Sequence, residues 1–180
     1  MVSAKKELKI SKLDAAKRQL ETVIRLYFAD GDPVSIHTLT AAAYNVIRDV
    51  TAKRGTTRML VKDQLLEYVK PESKKLFLGK INEAENFFKH ADRDSETTLD
   101  FNPDMSEMLM VDACSQYHQL TGEMPPLFRI YIAWFMANYQ DVFNFPEEVK
   151  RSMHVGAASI REMGRGRYFA TILPQVMPIA

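Results

Sequence analysis

Apolar residues repeat every three or four positions over most of this chain, and no other feature constrains its fold as strongly. Seven Gly and eight Pro residues interrupt the 180 positions, which favours long helices over a turn-rich β fold. The periodicity predicts helices over about 9–29, 33–53, 72–92, 105–120 and 127–139, and a sixth from 146 to the glycines at 164 and 166. Short connections favour an antiparallel helical bundle. We therefore predict an all-α bundle of five to six helices.

The length of the chain fits one domain, since domains commonly have roughly 100–200 residues. We predict a single all-α domain over 1–180, with a flexible start at 1–8 and an irregular tail at 168–180, where two prolines interrupt the pattern. The fifth predicted helix is apolar nearly all round, so it is expected to be buried on every side. His37 follows the Asp32-Pro33 helix start, which indicates a surface or capping position.

Charge and composition exclude several classes of function. The chain has 24 basic and 23 acidic residues, so no global field attracts nucleic acid. The single Cys114 has no partner for an internal disulfide, and neither Glu-x-x-His nor His-Glu-x-x-His occurs, so we expect no metal and no cofactor. No apolar run approaches the roughly 20 residues that span a bilayer. We expect a cytoplasmic protein that does not enter membranes.

One short motif could carry chemistry. Asn86 and His90 are four positions apart in the third predicted helix, and Glu83 and Arg93 fall on the same face. That face lies opposite the apolar stripe of the helix, so His90 is expected to face solvent or an interface. An exposed imidazole titrates near neutral pH and can act as a general acid or base, while an amide can orient it or bind a phosphate oxygen. The candidate catalytic residues are therefore His90 and Asn86.

The motif resembles that of the HEPN superfamily, in which Arg and a polar residue, often Asn, are followed by three residues and then His. The Ala-rich second helix and the Gly31-Asp32-Pro33 break are also similar to HEPN bundles. The resemblance implies a homodimer with the motif at its cleft, and metal-independent cleavage of RNA by the His and Arg side chains.

This chain departs from that pattern because Glu85 stands where Arg is expected. A carboxylate there would repel a phosphate that a guanidinium would bind. Lys89 or Arg93 could replace it only if the fold brings them to the motif, so both are named, with Glu83, as candidate binding residues. The expected function is a degenerate HEPN-like module that binds nucleic acid or regulates a partner, with RNA cleavage still open.

Two other interpretations stay open: a non-catalytic protein-interaction module, and a bundle that binds a small molecule beneath the Met-rich fourth helix. Whether the chain is an enzyme is undecided by the sequence. The adjacent rings of Phe87 and Phe88 cannot both face one core, and together with the family resemblance this predicts a homodimer.

Overall fold

The computed structural model describes residues 7–56, 58–92, 95–140 and 156–177, and these residues form helices and loops without any strand. The α-helices are α1 (Lys12–Phe28), α2 (Pro33–Arg54), α3 (Lys74–Lys89), α4 (Asp104–Thr121), α5 (Pro126–Tyr139), α6 (156–163) and α7 (Arg165–Val176). A π-helical turn (Leu60–Gln64) and two 3₁₀ turns (Leu65–Glu67 and Pro71–Ser73) lie between α2 and α3. The all-α prediction is confirmed. The predicted start of the sixth helix at Pro146 lies outside the described residues.

Helices α1 and α2 form a hairpin whose turn is specified locally. Asp30 adopts a left-handed conformation with φ of 53°, and the N–H of Gly31 donates to the Leu26 carbonyl at 2.8 Å. A Cβ at Gly31 would lie 2.9 Å from that carbonyl oxygen, so a larger residue would force the turn apart. Asp32 then accepts a hydrogen bond from the Ser35 N–H at 2.7 Å and caps α2. The predicted break between the two helices is confirmed.

The hydrophobic core lies among α1, α2, α4, α5 and α7. Helix α5 contacts α1, α4 and α7, and its inward side chains, including Tyr131 and Trp134, are buried. The Trp134 indole Nε1 donates to the Tyr27 hydroxyl at 3.0 Å, which satisfies both buried polar groups. Most of α5 is buried, but the prediction that it is buried on every side is wrong, because Arg129 and Ala133 are exposed. No helix in the described part of the chain is long and apolar enough to cross a membrane.

The prediction of an irregular tail over 168–180 is wrong for residues 168–176, which belong to α7. Tyr168 is buried, donates its hydroxyl to the Ile130 carbonyl at 3.1 Å, and packs against Trp134 with ring centroids 5.2 Å apart. Phe169 stacks on Phe28 at 4.7 Å. These contacts outweigh the backbone hydrogen bond that Pro174 cannot make near the end of the helix.

The buried face of α2 is more polar than its apolar periodicity suggests. Thr40 and Thr51 are buried there beside Tyr44, and each threonine hydroxyl donates to the carbonyl four residues earlier, at 2.8 and 2.7 Å. The periodic apolar residues of α2 include Leu39, Val46 and Val50, and these three are only half-buried. Because satisfied hydroxyl groups can be buried at little cost, the core side of this helix is not its most apolar side.

Candidate binding cleft at the end of helix α3

Helix α3 ends one residue before the predicted catalytic histidine. His90 has extended backbone angles, φ −132° and ψ 136°, and its N–H donates to the Asn86 carbonyl at 3.0 Å. His90 is therefore the C-cap of α3, whereas the sequence had predicted a helix through residue 92. Asn86 remains in the last helical turn, and the backbone hydrogen bond keeps the two residues adjacent.

Asn86 and His90 line one open cleft of about 660 Å³. Both side chains are exposed, as predicted. Glu83 lies in the same cleft, so the structure brings together three of the five candidate site residues. The remaining described lining is Phe87, Asp92, Thr97, Thr98 and Leu99. Sequence reasoning missed the contribution of 97–99, because a loop without periodicity gives no indication of where it packs.

The two candidate cations are not part of the described lining. The Lys89 ammonium donates to Glu85 Oε1 at 2.7 Å, which directs it away from His90 toward the preceding turn. Arg93 lies outside the described residues. Glu83 accepts hydrogen bonds from Lys80 at 2.8 and 3.0 Å, one turn earlier on α3. Among the described residues, the cleft is thus lined by two carboxylates and by no Lys or Arg.

Glu85 faces the interior and not the cleft. Its Oε2 accepts a hydrogen bond from Lys62 Nζ at 3.0 Å, and its Oε1 accepts from Lys89 and from the Asn45 amide. Adjacent helical residues point about 100° apart, so Asn86 can be exposed while Glu85 is buried. The expectation that this carboxylate repels a ligand beside His90 is therefore wrong, because Glu85 is paired with Lys62 and Lys89 within the fold.

Burial and ion pairing act in opposite directions on the pKa values of Glu85 and Lys62. Burial alone would raise the pKa of Glu85, but the hydrogen bond from Lys89 and the charge of Lys62 lower it below its usual value. Burial lowers the pKa of Lys62, and Glu85 opposes that shift. Lys62 Nζ and Glu85 Oε2 lie 3.0 Å apart as a hydrogen-bonded pair, the arrangement in which charges are tolerated inside a protein.

The sequence predicts a short helix near 62–69, and the structure has a π-helical turn at Leu60–Gln64, which carries Lys62, followed by a 3₁₀ turn at Leu65–Glu67. Asp112 of α4 accepts hydrogen bonds from the backbone N–H groups of Leu60 and Val61, at 3.1 and 3.0 Å, and from the Tyr44 hydroxyl at 2.8 Å. The Lys62 N–H donates to the same Tyr44 oxygen at 3.1 Å. These bonds hold the π-helical turn against α2 and α4, and so position Lys62 beneath α3.

The two adjacent phenylalanines of α3 lie in different environments. Phe87 lines the cleft, while Phe88 packs edge-to-face on Phe101, with ring centroids 5.1 Å apart, and on His37, at 5.8 Å. Phe88 thereby fixes the loop before α4 against α3. The ring of Phe87 stays half-exposed, beside the amide of Asn86.

His37 is buried, contrary to the surface position expected. Its imidazole is 1% exposed, and its Nδ1 lies 3.0 Å from the Ser106 hydroxyl. It precedes Tyr44 by seven residues and Thr51 by fourteen, which places all three on the buried side of α2. That spacing was the available sequence signal. Burial lowers the pKa of His37, so the imidazole is neutral at pH 7.

Comparison with protein-family models, curated proteins and solved structures finds no match to this chain. Within the part of the chain that the structure describes, no group of three His, Cys, Asp or Glu residues is placed to hold a metal ion.

Proposed function

We propose that this chain is a non-catalytic, HEPN-like helical module that binds a basic segment of a partner protein at the α3 cleft. The observation that carries the proposal is the cleft lining: two carboxylates, a half-exposed aromatic ring and hydrogen-bonding side chains, without a Lys or Arg among the described residues. Carboxylates pair with guanidinium and ammonium groups, and an aromatic face attracts cations.

The same lining disfavours a nucleic-acid ligand. Binding to RNA depends mainly on Lys and Arg side chains that neutralise phosphates, and the described lining of the cleft contains neither. Its carboxylates, Glu83 (paired with Lys80) and Asp92, add no positive charge to it. The position that carries Arg in the resembled motif is here Glu85, which neutralises Lys62 and Lys89. An arginine at that position would therefore face two buried or half-buried cations instead of a ligand.

A homodimer is part of the proposal, as is the antiparallel bundle that the resemblance implies. The half-exposed ring of Phe87 supports the dimer, since it lies at the mouth of the cleft while Phe88 is used within the fold. Two copies meeting there would place their clefts side by side, and a partner segment would bind along both.

The test is fluorescence anisotropy with a labelled peptide of alternating Arg and Gly, against the same peptide with Gln in place of Arg. We expect saturable binding of the Arg peptide only, and binding several-fold weaker with either Glu83→Gln or Phe87→Ala. Glu162→Gln, at an exposed glutamate on α6, is the matched control and should bind as the wild type does. Equal binding of both peptides, or no effect of either cleft variant, would refute the proposal.

RNA cleavage is the second candidate, favoured by the presence of Asn86 and His90 in one open cleft. It predicts that the protein degrades single-stranded RNA in EDTA and that His90→Ala and Arg93→Ala each abolish the activity. On the proposal made here, wild type and His90→Ala give the same background rate. Cleavage that disappears with His90→Ala would replace the binding function with a nuclease function.

A further inference from the structure

We propose that the cavity beside His37 is a second binding site, specific for a small neutral molecule with an apolar ring and one hydroxyl group. The site goes beyond the function proposed for the α3 cleft and does not depend on it. Among the described lining residues, the two cavities share only Leu99 and Glu83.

The cavity has room for more than a bound water. Its volume is about 170 Å³, while a water molecule occupies roughly 30 Å³ in the liquid and a cavity of about 150 Å³ can bind benzene. Its apolar lining comes from α3, from the loop before α4 and from the start of α4: Ile81, Ala84, Leu99, Phe101 and Met105. A ring of six carbons therefore fits both the volume and the character of this surface.

The imidazole of His37 provides the hydrogen-bonding group of the proposed site. Its Nδ1 is paired with Ser106, but its Nε2 is buried and has no hydrogen-bond partner. Buried polar nitrogens in folded proteins are nearly always paired, so this one marks a place where a ligand group would be stabilised. Phe101 contacts the imidazole at a centroid distance of 5.2 Å, lines the cavity with it and is only half-buried.

The chemistry of that nitrogen selects a hydroxyl group. The Ser106 hydroxyl can either donate to Nδ1 or accept from it, which leaves Nε2 as a donor in one tautomer and an acceptor in the other. A hydroxyl group both donates and accepts, so it pairs with Nε2 in either case. His37 is neutral at pH 7 because burial lowers its pKa, and the charged residues of the cavity, Lys80, Glu83 and Asp100, are solvent-exposed. A neutral ligand consequently fits better than an ion.

Phenol and toluene form a matched pair of probes, since they share a ring and differ in the hydroxyl group. Histidine ring-nitrogen spectra, recorded by NMR during titration of the full-length protein, report directly on His37. We expect phenol to shift the His37 resonances saturably. Toluene should bind roughly tenfold more weakly, as expected for the loss of one neutral hydrogen bond.

Three variants test whether the probes bind in the cavity beside His37. His37→Asn keeps a hydrogen-bonding group near Ser106 but removes the one at Nε2, so it should bind phenol and toluene alike. Because this variant has no imidazole at position 37, its binding is followed through the backbone amide signals of Ala84 and Leu99, which line the cavity. Ala84→Leu fills the cavity from α3 and should abolish both, while Ala170→Leu, at an exposed alanine of α7, should change neither. Ala84→Leu keeps the test decisive if His37→Asn does not fold. No saturable shift with phenol, equal binding of the two probes to the wild type, or unchanged binding in Ala84→Leu would overturn the proposal.

Discussion

At the scale of single residues, Glu85 shows how far apart in environment two adjacent residues of one helix can be. It follows the half-buried Ala84 and precedes the exposed Asn86, yet it is itself buried against Lys62 and Lys89. A motif defined by sequence spacing treats residues 85 and 86 as members of one site. The helix instead assigns them to opposite environments, one inside the fold and one in the cleft.

Removing the charge of Glu85 should destabilise the fold strongly. Glu85→Gln leaves the ammonium of Lys62, which is 2% exposed, without its carboxylate, and an unpaired buried charge costs about 3–5 kcal/mol. Glu83→Gln, two residues earlier and exposed, removes a surface ion pair worth less than about 1 kcal/mol. Urea denaturation followed by circular dichroism measures both. A loss below about 1 kcal/mol for Glu85→Gln would contradict the buried pair.

His37 should make the fold less stable in mild acid. Burial lowers its pKa in the folded protein, so between that value and the unfolded value of about 6.5 the unfolded chain binds more protons. The contribution of His37 to the free energy of unfolding is complete above pH 6.5. It declines as the pH falls below that value, by at most about 1.4 kcal/mol per pH unit. Urea titrations at pH 7.5, 6.5 and 5.5 should show a smaller decline for His37→Asn. Equal declines for the two proteins would count against a buried neutral imidazole.

At the scale of elements, helix boundaries were predictable wherever the signal was local. Asp32 and Pro33 begin α2, and Gly55 and Gly122, with φ of 62° and 74°, end α2 and α4. These residues act through their own backbone conformation, so neighbouring sequence contains the information. A short helix near 62–69 was predictable, but the hydrogen bonds that hold its π-helical turn were not, because their acceptors, Asp112 and Tyr44, are distant in the chain.

Contacts between distant residues also explain why residues 168–176 were wrongly predicted to be irregular. Sequence shows the two prolines, but it does not show that Tyr168 and Phe169 reach Trp134 and Phe28. The candidate site shows the same limit. The exposure and proximity of Asn86 and His90 follow from helical spacing, while the contribution of the 97–99 loop depends on tertiary packing.

Anchoring by Tyr168 should determine whether α7 stays folded. Tyr168→Ala removes a buried ring and the hydrogen bond to Ile130, with an expected cost of about 3–5 kcal/mol. Tyr168→Phe keeps the ring and should lose only about 1 kcal/mol. Hydrogen exchange should show faster exchange across 165–176 in the alanine variant alone. Unchanged exchange there would mean that α7 does not depend on this anchor.

At the scale of the whole molecule, the proposed dimer requires a contact surface at the α3 cleft. Light scattering should give twice the protomer mass of 20.6 kDa at micromolar concentration. Phe87→Asp should shift the protein to the protomer mass, because it replaces the half-exposed ring that would contact the second copy with a charge. A single protomer mass for the wild type at several hundred micromolar would exclude the dimer.

The central claim is that the cleft at the end of α3 binds cationic protein side chains and leaves RNA uncleaved. NMR signals of the Asn86 side-chain amide and the His90 ring test this directly, since both groups line the cleft. The account predicts that the Arg-Gly peptide shifts both signals saturably, and that single-stranded RNA in EDTA shifts neither and stays intact. Shifts caused by RNA, together with cleavage that His90→Ala abolishes, would contradict it.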